Sequence, residues 1–453
     1  MKPGVRAALQ RRFAGTLVAP GDRHYERARR VWNGCIDRRP ALIAYCAGTA
    51  DVAAALRVAR EHELAVAVRG GGHSCAGLAV CDDGVVIDLS RMNSVAVDPA
   101  GRIVRAGAGA LWQDVDRATQ VFALATPGGT DSEVGIAGLT LGGGNGWLMG
   151  LHGATCDNVL SVDVIDAEGH QLVASAEENA DLFWALRGGG GNFAVATAFE
   201  YRLHPVGPTV IGGMVLYAID EAREVIAGYR EFTRTAPDEV TAYACLIFTE
   251  AGRPAVAIAA CAAAPLDRAE AMVGPLRRLG RPVADQLGPM AYTALQSILD
   301  PARPAGRRCA MRSHFMRELD DRAIDVMIGE FLRSPSPLSV AIVEHCHGAI
   351  ARVPPTETAF ALRDSPFHLE IIAFWEDAAQ TDANVKWVQS FFAATEPFSS
   401  GQVYVNSLDR DEAHRVREAY GMNYERLTEL KRRYDPDNVF RSTHNIPPTP
   451  IGR

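Results

Sequence analysis

Between about residues 40 and 205, short runs rich in valine and isoleucine alternate with stretches of helical period. Thr49 reads as an N-cap, with Asp51 in the first turn and Val52, Leu56 and Ala59 on one apolar face, so a helix begins there. A strand over 64–69 follows and runs straight into Gly70-Gly71-Gly72, and 85–89 and 162–166 are also strand-like. This half is expected to be α+β, with glycine-rich loops at strand ends.

From Pro205 the pattern changes. Strand-like runs at 210–219, 240–249 and 256–260 are interleaved with helical stretches at 221–235 and 267–279, and 368–376 followed by 382–395 repeats the order. Residues 206–398 therefore read as a second domain, an antiparallel sheet covered by helices. A strand at 403–407, a helix near 411–434 and a proline-bounded tail close the chain. The pattern thus divides the chain into 1–205, 206–398 and 399–453.

Composition narrows the classes of function. The 453 residues are 48% apolar and 22% charged, which is globular composition. Lys plus Arg number 46 against 54 Asp plus Glu, a net charge of -8 without any basic run, so nucleic acid is not an expected partner. The apolar stretch 254–265 is too short to cross a bilayer, and the beginning of the chain has no apolar secretion signal, so a cytoplasmic protein without a membrane partner is expected. Nine cysteines, none in C-x-x-C spacing, suit a reduced compartment. Glu344-His345-Cys346-His347 offers two imidazoles but no third ligand at a telling spacing, and no metal is expected.

The 42 glycines are bunched, at Gly70–Gly72, Gly142–Gly144 with Gly146, and Gly188–Gly191. None of these runs fits the dinucleotide pattern G-x-G-x-x-G or the phosphate loop G-x-x-x-x-G-K-[ST]. Three such runs in one half still favour a large anionic cofactor approached closely by backbone.

The first run reads Arg69-Gly70-Gly71-Gly72-His73-Ser74-Cys75-Ala76-Gly77. Here the chain resembles the berberine-bridge-enzyme-like FAD-linked oxidases, flavoproteins of the vanillyl-alcohol-oxidase type. The likeness recurs at Gly142–Trp147, at Cys156-Asp157-Asn158-Val159-Leu160, at Asp181–Gly188, and at Asn423–Leu427 with Tyr434–Arg441. It implies a two-part FAD-binding domain and FAD held covalently by His73 through the flavin 8α-methyl group. It also implies flavin contacts from Arg69, Gly70, Gly71, Gly72, Ser74, Gly77 and Leu78. A second set would be Asp131, Val134, Gly135, Gly138 and Leu139, and a third Gly142, Gly144, Asn145, Gly146 and Trp147. Tyr404, Asn406 and Asn445 complete the expected contacts. Asp131 stands where some relatives carry a second, cysteinyl link, and a carboxylate forms no thioether, so a single bond through His73 is expected. Cys75, Cys81 and Cys156 are candidate substitutes by sequence proximity, although buried thiols are the plainer reading. Val134 resembles the oxidase version of its position, whereas leucine is associated with dehydrogenases.

The reacting groups are sought in the second domain. In 368–374, period two puts His368, Glu370, Ile372 and Phe374 on one strand face, where a carboxyl among apolar residues has a raised pKa suited to a base. The resemblance makes Glu370 the substrate-facing base and Tyr404 of Tyr404-Val405-Asn406 a second deprotonating group, with His368 beside them. The tail Ser442–Pro447 resembles the family ending, with Thr443 replacing an asparagine and Asn445 retained. The implied reaction is hydride transfer from a small hydroxyl-bearing molecule to flavin N5, with molecular oxygen as acceptor. A dehydrogenase with another acceptor and a non-catalytic flavin-binding protein are the alternatives. Substrate and oligomeric state stay open.

Overall fold

A computed structural model describes residues 5–448. Residues 1–4 and 449–453, which belong to the expected first and last segments, lie outside the described residues.

After a short helix, Val5–Gln10, comes a four-stranded sheet in the order Thr16–Val18, Leu42–Tyr45, Val85–Asp88, Val66–Arg69. Its last two pairings are parallel, and the crossover is the helix Thr49–Glu61. Val85–Asp88 is buried at every position, as a parallel strand covered on both faces must be. The helix does not use Thr49 as its cap. Thr49 is its first residue and Gly48 holds the cap position. The buried Asp51 carboxylate instead accepts from the backbone N–H groups of Ala14, Gly15 and Ala47 and so fastens the preceding chain. Val52, Leu56 and Ala59 are buried on the predicted face.

A five-stranded antiparallel sheet follows, ordered Val95–Asp98, Ile103–Gly107, Val195–Arg202, Val159–Ile165, Gln171–Ser175. The remaining large element is an eight-stranded antiparallel sheet. It runs in the order Pro282–Asp285, Thr209–Ala218, Pro254–Ala262, Val240–Phe248, Val340–His345, Phe367–Trp375, Arg308–Met316, with Gly288–Ala291 also paired to Thr209–Ala218. The helices Ala222–Thr233, Asp321–Phe331 and Thr381–Thr395 pack on one face. Alternation along Phe367–Trp375 sets the two environments: Leu369, Ile371 and Ala373 join the helix-covered core, while Ile372 and Phe374 join the core shared with the first half. The α+β architecture and the helix-covered antiparallel sheet match the sequence reading.

Besides the Thr49 cap, two expectations fail and one strand is new. Residues 403–407 form no strand; the chain makes a short 3-10 turn at Val405–Ser407. The single helix near 411–434 is broken into Arg410–Arg415, Val416–Tyr420, Gly421–Asn423 and Tyr424–Tyr434, interrupted where Gly421 takes φ +49°, a left-handed conformation suited to glycine. The strand Arg308–Met316 was not anticipated, because Arg312, Ser313 and His314 interrupt its apolar pattern although all three are buried.

The last helix fixes the tail. Lys431 Nζ donates to Asp435 Oδ2 at 2.7 Å and to the carbonyls of Asn192 and Phe440, and Asp435 accepts from the N–H groups of Val439 and Phe440. Both side chains are fully buried. Replacing Asp435 with alanine leaves an unpaired buried ammonium, and urea denaturation should register a loss of about 3–5 kcal/mol. A loss under about 1 kcal/mol would show that the pair does not hold the tail.

Candidate functional site

The glycine loops, the eight-stranded sheet and the C-terminal segment enclose a cavity of about 340 Å3. Of the sequence-predicted residues, Gly70, Gly71, Gly72, His73, Ser74, Leu78, Asp131, Val134, Gly135, Gly138, Leu139, Asn145, Glu370, Tyr404 and Asn406 line it. These residues are as much as 336 positions apart in sequence, between Gly70 and Asn406.

Several predicted contacts stand behind the wall. Arg69 is buried, ion-paired to Asp88 and donating to the carbonyls of Ala28 and Arg30, so it braces the loop from below. Gly77 takes φ +69° and a Cβ there would strike Ile36. Gly142 packs on the Asn406 amide, Gly144 donates its N–H to Tyr404 Oη, and a Cβ on Gly146 would strike the Gly128 carbonyl. Trp147 is buried against Tyr243. Asn445 lies just beyond the lining residues Thr443 and His444, and its Oδ1 is buried without a partner. Thr443, despite departing from the family residue, reaches the cavity.

His73 stacks on Trp32, ring centroids 4.3 Å apart. Burial holds its pKa below the ordinary histidine value, so the imidazole is neutral near pH 7. Beside it, Arg303 donates to Asp131 Oδ2 at 2.8 Å, and Asp300 accepts from the Ser132 N–H and hydroxyl. Asp131 is thus held by a cation. Cys75 also lines the cavity, whereas Cys81 and Cys156 do not.

Glu370 and Glu344 face the cavity from adjacent strands. Glu344 is bound to His368 Nδ1 at 2.9 Å. His368 is fully buried, stacked on Phe315 and outside the cavity lining, so it backs the wall instead of meeting a ligand. Burial alone would lower its pKa, but the Glu344 carboxylate raises it above the ordinary value. Glu370 has a hydroxyl partner, Ser407 Oγ at 2.7 Å. Burial and then the Glu344 charge push its pKa above the ordinary glutamate value. Tyr404 Oη accepts two hydrogen bonds, each 2.8 Å long, from Gly144 N–H and Asn406 Nδ2. Tyr404 and Asn406 converge here on a turn and not on the strand expected over 403–407. Burial raises the phenol, partly offset by those two donors. His345 and His347 stack face to face with planes 8° apart, and among the described residues no group of three potential ligands converges on a metal position.

Sequence reading missed Arg303, Trp32, Met311 and Ser407, and treated Glu344 only as part of a metal motif. Arg303 sits in the irregular segment after Asp300–Ala302, where no periodicity marks it. Pairing of strands Val340–His345 and Phe367–Trp375 brings Glu344 to Glu370, and sequence does not give that register.

The walls suit FAD. Gly138 and Gly191 present open space where a side chain would stand, Asn145 and Asp131 each keep one unpartnered oxygen, and the polar face of backbone and small side chains adjoins an apolar one of Met311, Ile372 and Phe374. A glycine-walled cavity of this form, at the junction of a two-part domain and a helix-covered antiparallel sheet, defines a flavin-binding oxidoreductase class. Residues 40–175 match the FAD binding domain family and residues 403–447 the berberine and berberine-like family. The chain is 30% identical over 444 residues to the uncharacterized FAD-linked oxidoreductase YgaK of Bacillus subtilis, covering 96% of this chain and 98% of that protein. It is 29% identical over 450 residues to (R)-6-hydroxynicotine oxidase of Paenarthrobacter nicotinovorans, covering 96% and 97% of the two chains. The crystal structure of 6-hydroxy-D-nicotine oxidase from Arthrobacter nicotinovorans superposes with a TM-score of 0.89 at 28% identity, over 96% of this chain and 98% of that one. The chain belongs to the berberine-bridge-enzyme-like family of FAD-linked oxidoreductases.

A carboxyl whose pKa is raised by folding loses stability as pH rises, because above the ordinary glutamate value the unfolded chain ionises more readily than the folded one. Glu370→Gln removes that difference. Urea denaturation should find the variant gaining on the wild type between pH 4.5 and pH 8; a gap that does not change with pH would contradict the raised pKa.

Proposed function

We propose that this protein is an FAD-dependent oxidase acting on a small molecule with a hydroxyl, or another acidic X–H, next to a hydride-bearing carbon. Substrate H–C–X–H and O2 become C=X and H2O2. When bound, FAD accepts the hydride and hands the electrons to oxygen. Oxidase chemistry is supported by the named activity of the nicotine-type relative and by valine at position 134 in the cavity wall.

The observation that carries this reading is Glu370. It faces the cavity bonded to a hydroxyl and not to a cation, while the nearby charges are paired, Glu344 with His368 and Asp131 with Arg303. A carboxylate so placed, with a pKa raised towards neutrality, takes the X–H proton as the carbon–hydrogen bond breaks. Tyr404 has a different role. Both acceptor positions of its oxygen are taken by Gly144 and Asn406, and its raised pKa keeps it protonated, so its O–H is left to donate to the substrate heteroatom. Between the two candidate bases the geometry favours Glu370. His368 and Glu344 position it electrostatically.

The residues that would hold FAD are the loop Gly70–Ser74, the segment Val134–Leu139, Asn145 and the tail at Thr443 and His444. His73, kept neutral by burial, is the nucleophile for a single covalent bond to the flavin methyl group. Asp131 cannot make a second.

Glu370→Gln should lower the rate of flavin reduction by about a hundredfold or more and abolish its acid limb, the pH below which wild-type activity falls, while flavin content stays unchanged. Retained reduction in this variant alongside its loss in Tyr404→Phe would transfer the base role to Tyr404. In stopped flow, air should reoxidise the reduced wild type faster than quinones do, and Val134→Leu should slow the reaction with air. Slow reoxidation of the wild type by air would identify a dehydrogenase.

A further inference from the structure

Cys75 and Cys309 have their sulfur atoms 3.4 Å apart, although 234 positions separate them. Both are buried. Cys75 lies two residues after His73 and lines the cavity, and Cys309 belongs to the edge strand Arg308–Met316. The pair is held by a third residue. The buried Asn33 amide donates to the carbonyls of Cys75 at 2.7 Å and Cys309 at 3.0 Å, and its Oδ1 accepts from the N–H groups of Cys309 and Cys35. Thus the two cysteine backbones are fixed on one amide, and closing to the disulfide length needs a movement of only about 1.4 Å by the sulfurs. No other pair of thiols among the described residues is in such contact.

We propose that Cys75 and Cys309 are a dithiol that hydrogen peroxide converts to a disulfide, tying the His73 loop to the edge of the eight-stranded sheet. The sulfur of Cys75 attacks peroxide, the O–O bond breaks, and sulfenic acid and one water form. Cys309 then displaces the sulfenic hydroxyl as a second water while the S–S bond forms. Two thiols and H2O2 give one disulfide and two waters, the sulfurs losing the two electrons that peroxide gains. Cys75 meets the cavity, which gives a small neutral oxidant its route, and the second step is intramolecular between atoms already in contact. That peroxide arises in this cavity rests on the oxidase reading above; the capacity to form the bond does not.

The test uses FAD-loaded wild-type protein. Peroxide is added and then removed with catalase, free thiols are alkylated under denaturing conditions, and the non-reduced digest is mapped by mass spectrometry. The expected result is a Cys75–Cys309 peptide pair that disappears on reduction, is absent from Cys75→Ser and Cys309→Ser, and persists in Cys35→Ser. The wild-type map decides, so a serine variant that does not fold leaves the test intact. Free, alkylated Cys75 and Cys309 after peroxide, Cys75 as sulfinic acid, or a bond from either one to Cys35 would each overturn the proposal. A second arm photoreduces the flavin and admits air. A cross-link with added peroxide but none in this arm would support the dithiol and count against peroxide production by the enzyme.

Discussion

The cavity depends on two backbones meeting where no side chain fits. A Cβ on Gly71 would stand 2.5 Å from Gly135 N, and one on Gly135 would stand 2.3 Å from Gly71 N, both inside the limit that real Cβ atoms observe. The second loop is pinned from its other side, where Trp112 N–H donates to the Val134 carbonyl and Ile136 N–H to that of Ala110. With Arg69 ion-paired beneath the first loop, neither can withdraw. Contact between glycines therefore lays Gly70–Ser74 along Val134–Leu139 and makes one wall, on which His73 and Val134 are carried together. Any side chain at either position would part the loops and remove the surface a flat cofactor needs.

Buried ion pairs then join that wall to the rest. Arg303 reaches Asp131, Arg363 makes a two-pronged contact with Asp157, and Lys431 binds Asp435. Such pairs add little net stability because each charge gives up its hydration, but the first two fix register between segments remote in sequence, and Lys431, four residues from Asp435, does so through the Asn192 carbonyl. Asp157 and Asp435 are both members of the resemblance motifs, and their work is of this kind. Asp181 likewise accepts from the Tyr434 hydroxyl at 2.7 Å, joining the Asp181–Gly188 motif to the last helix. In the cavity wall Glu370 stands apart from these pairs, a carboxyl bonded to a hydroxyl and to no cation.

Period two along Phe367–Trp375 was enough to place Glu370, Ile372 and Phe374 on one face, and the first and third glycine runs were enough to locate loops of the cavity wall, because both signals are local. What escaped is nonlocal or aperiodic. Arg303 and Trp32 sit in irregular chain. Glu344 meets its partners only through strand register. The strand Arg308–Met316 hides behind buried polar residues that pattern reading takes for surface. Tyr404 and Asn406 converge because a 3-10 turn brings the amide back onto the phenol oxygen, where the expected strand would merely have set them side by side. His368, grouped by period with Glu370, belongs instead to the supporting layer.

The central claim is that this cavity holds FAD on His73 alone. The visible spectrum of purified protein before and after acid precipitation, repeated with His73→Ala, tests it most directly. The account predicts yellow colour that stays with the wild-type pellet and leaves the variant pellet for the supernatant. Flavin retained by the variant pellet would place a covalent bond elsewhere, and a wild-type protein left colourless after incubation with FAD would contradict the account at its root.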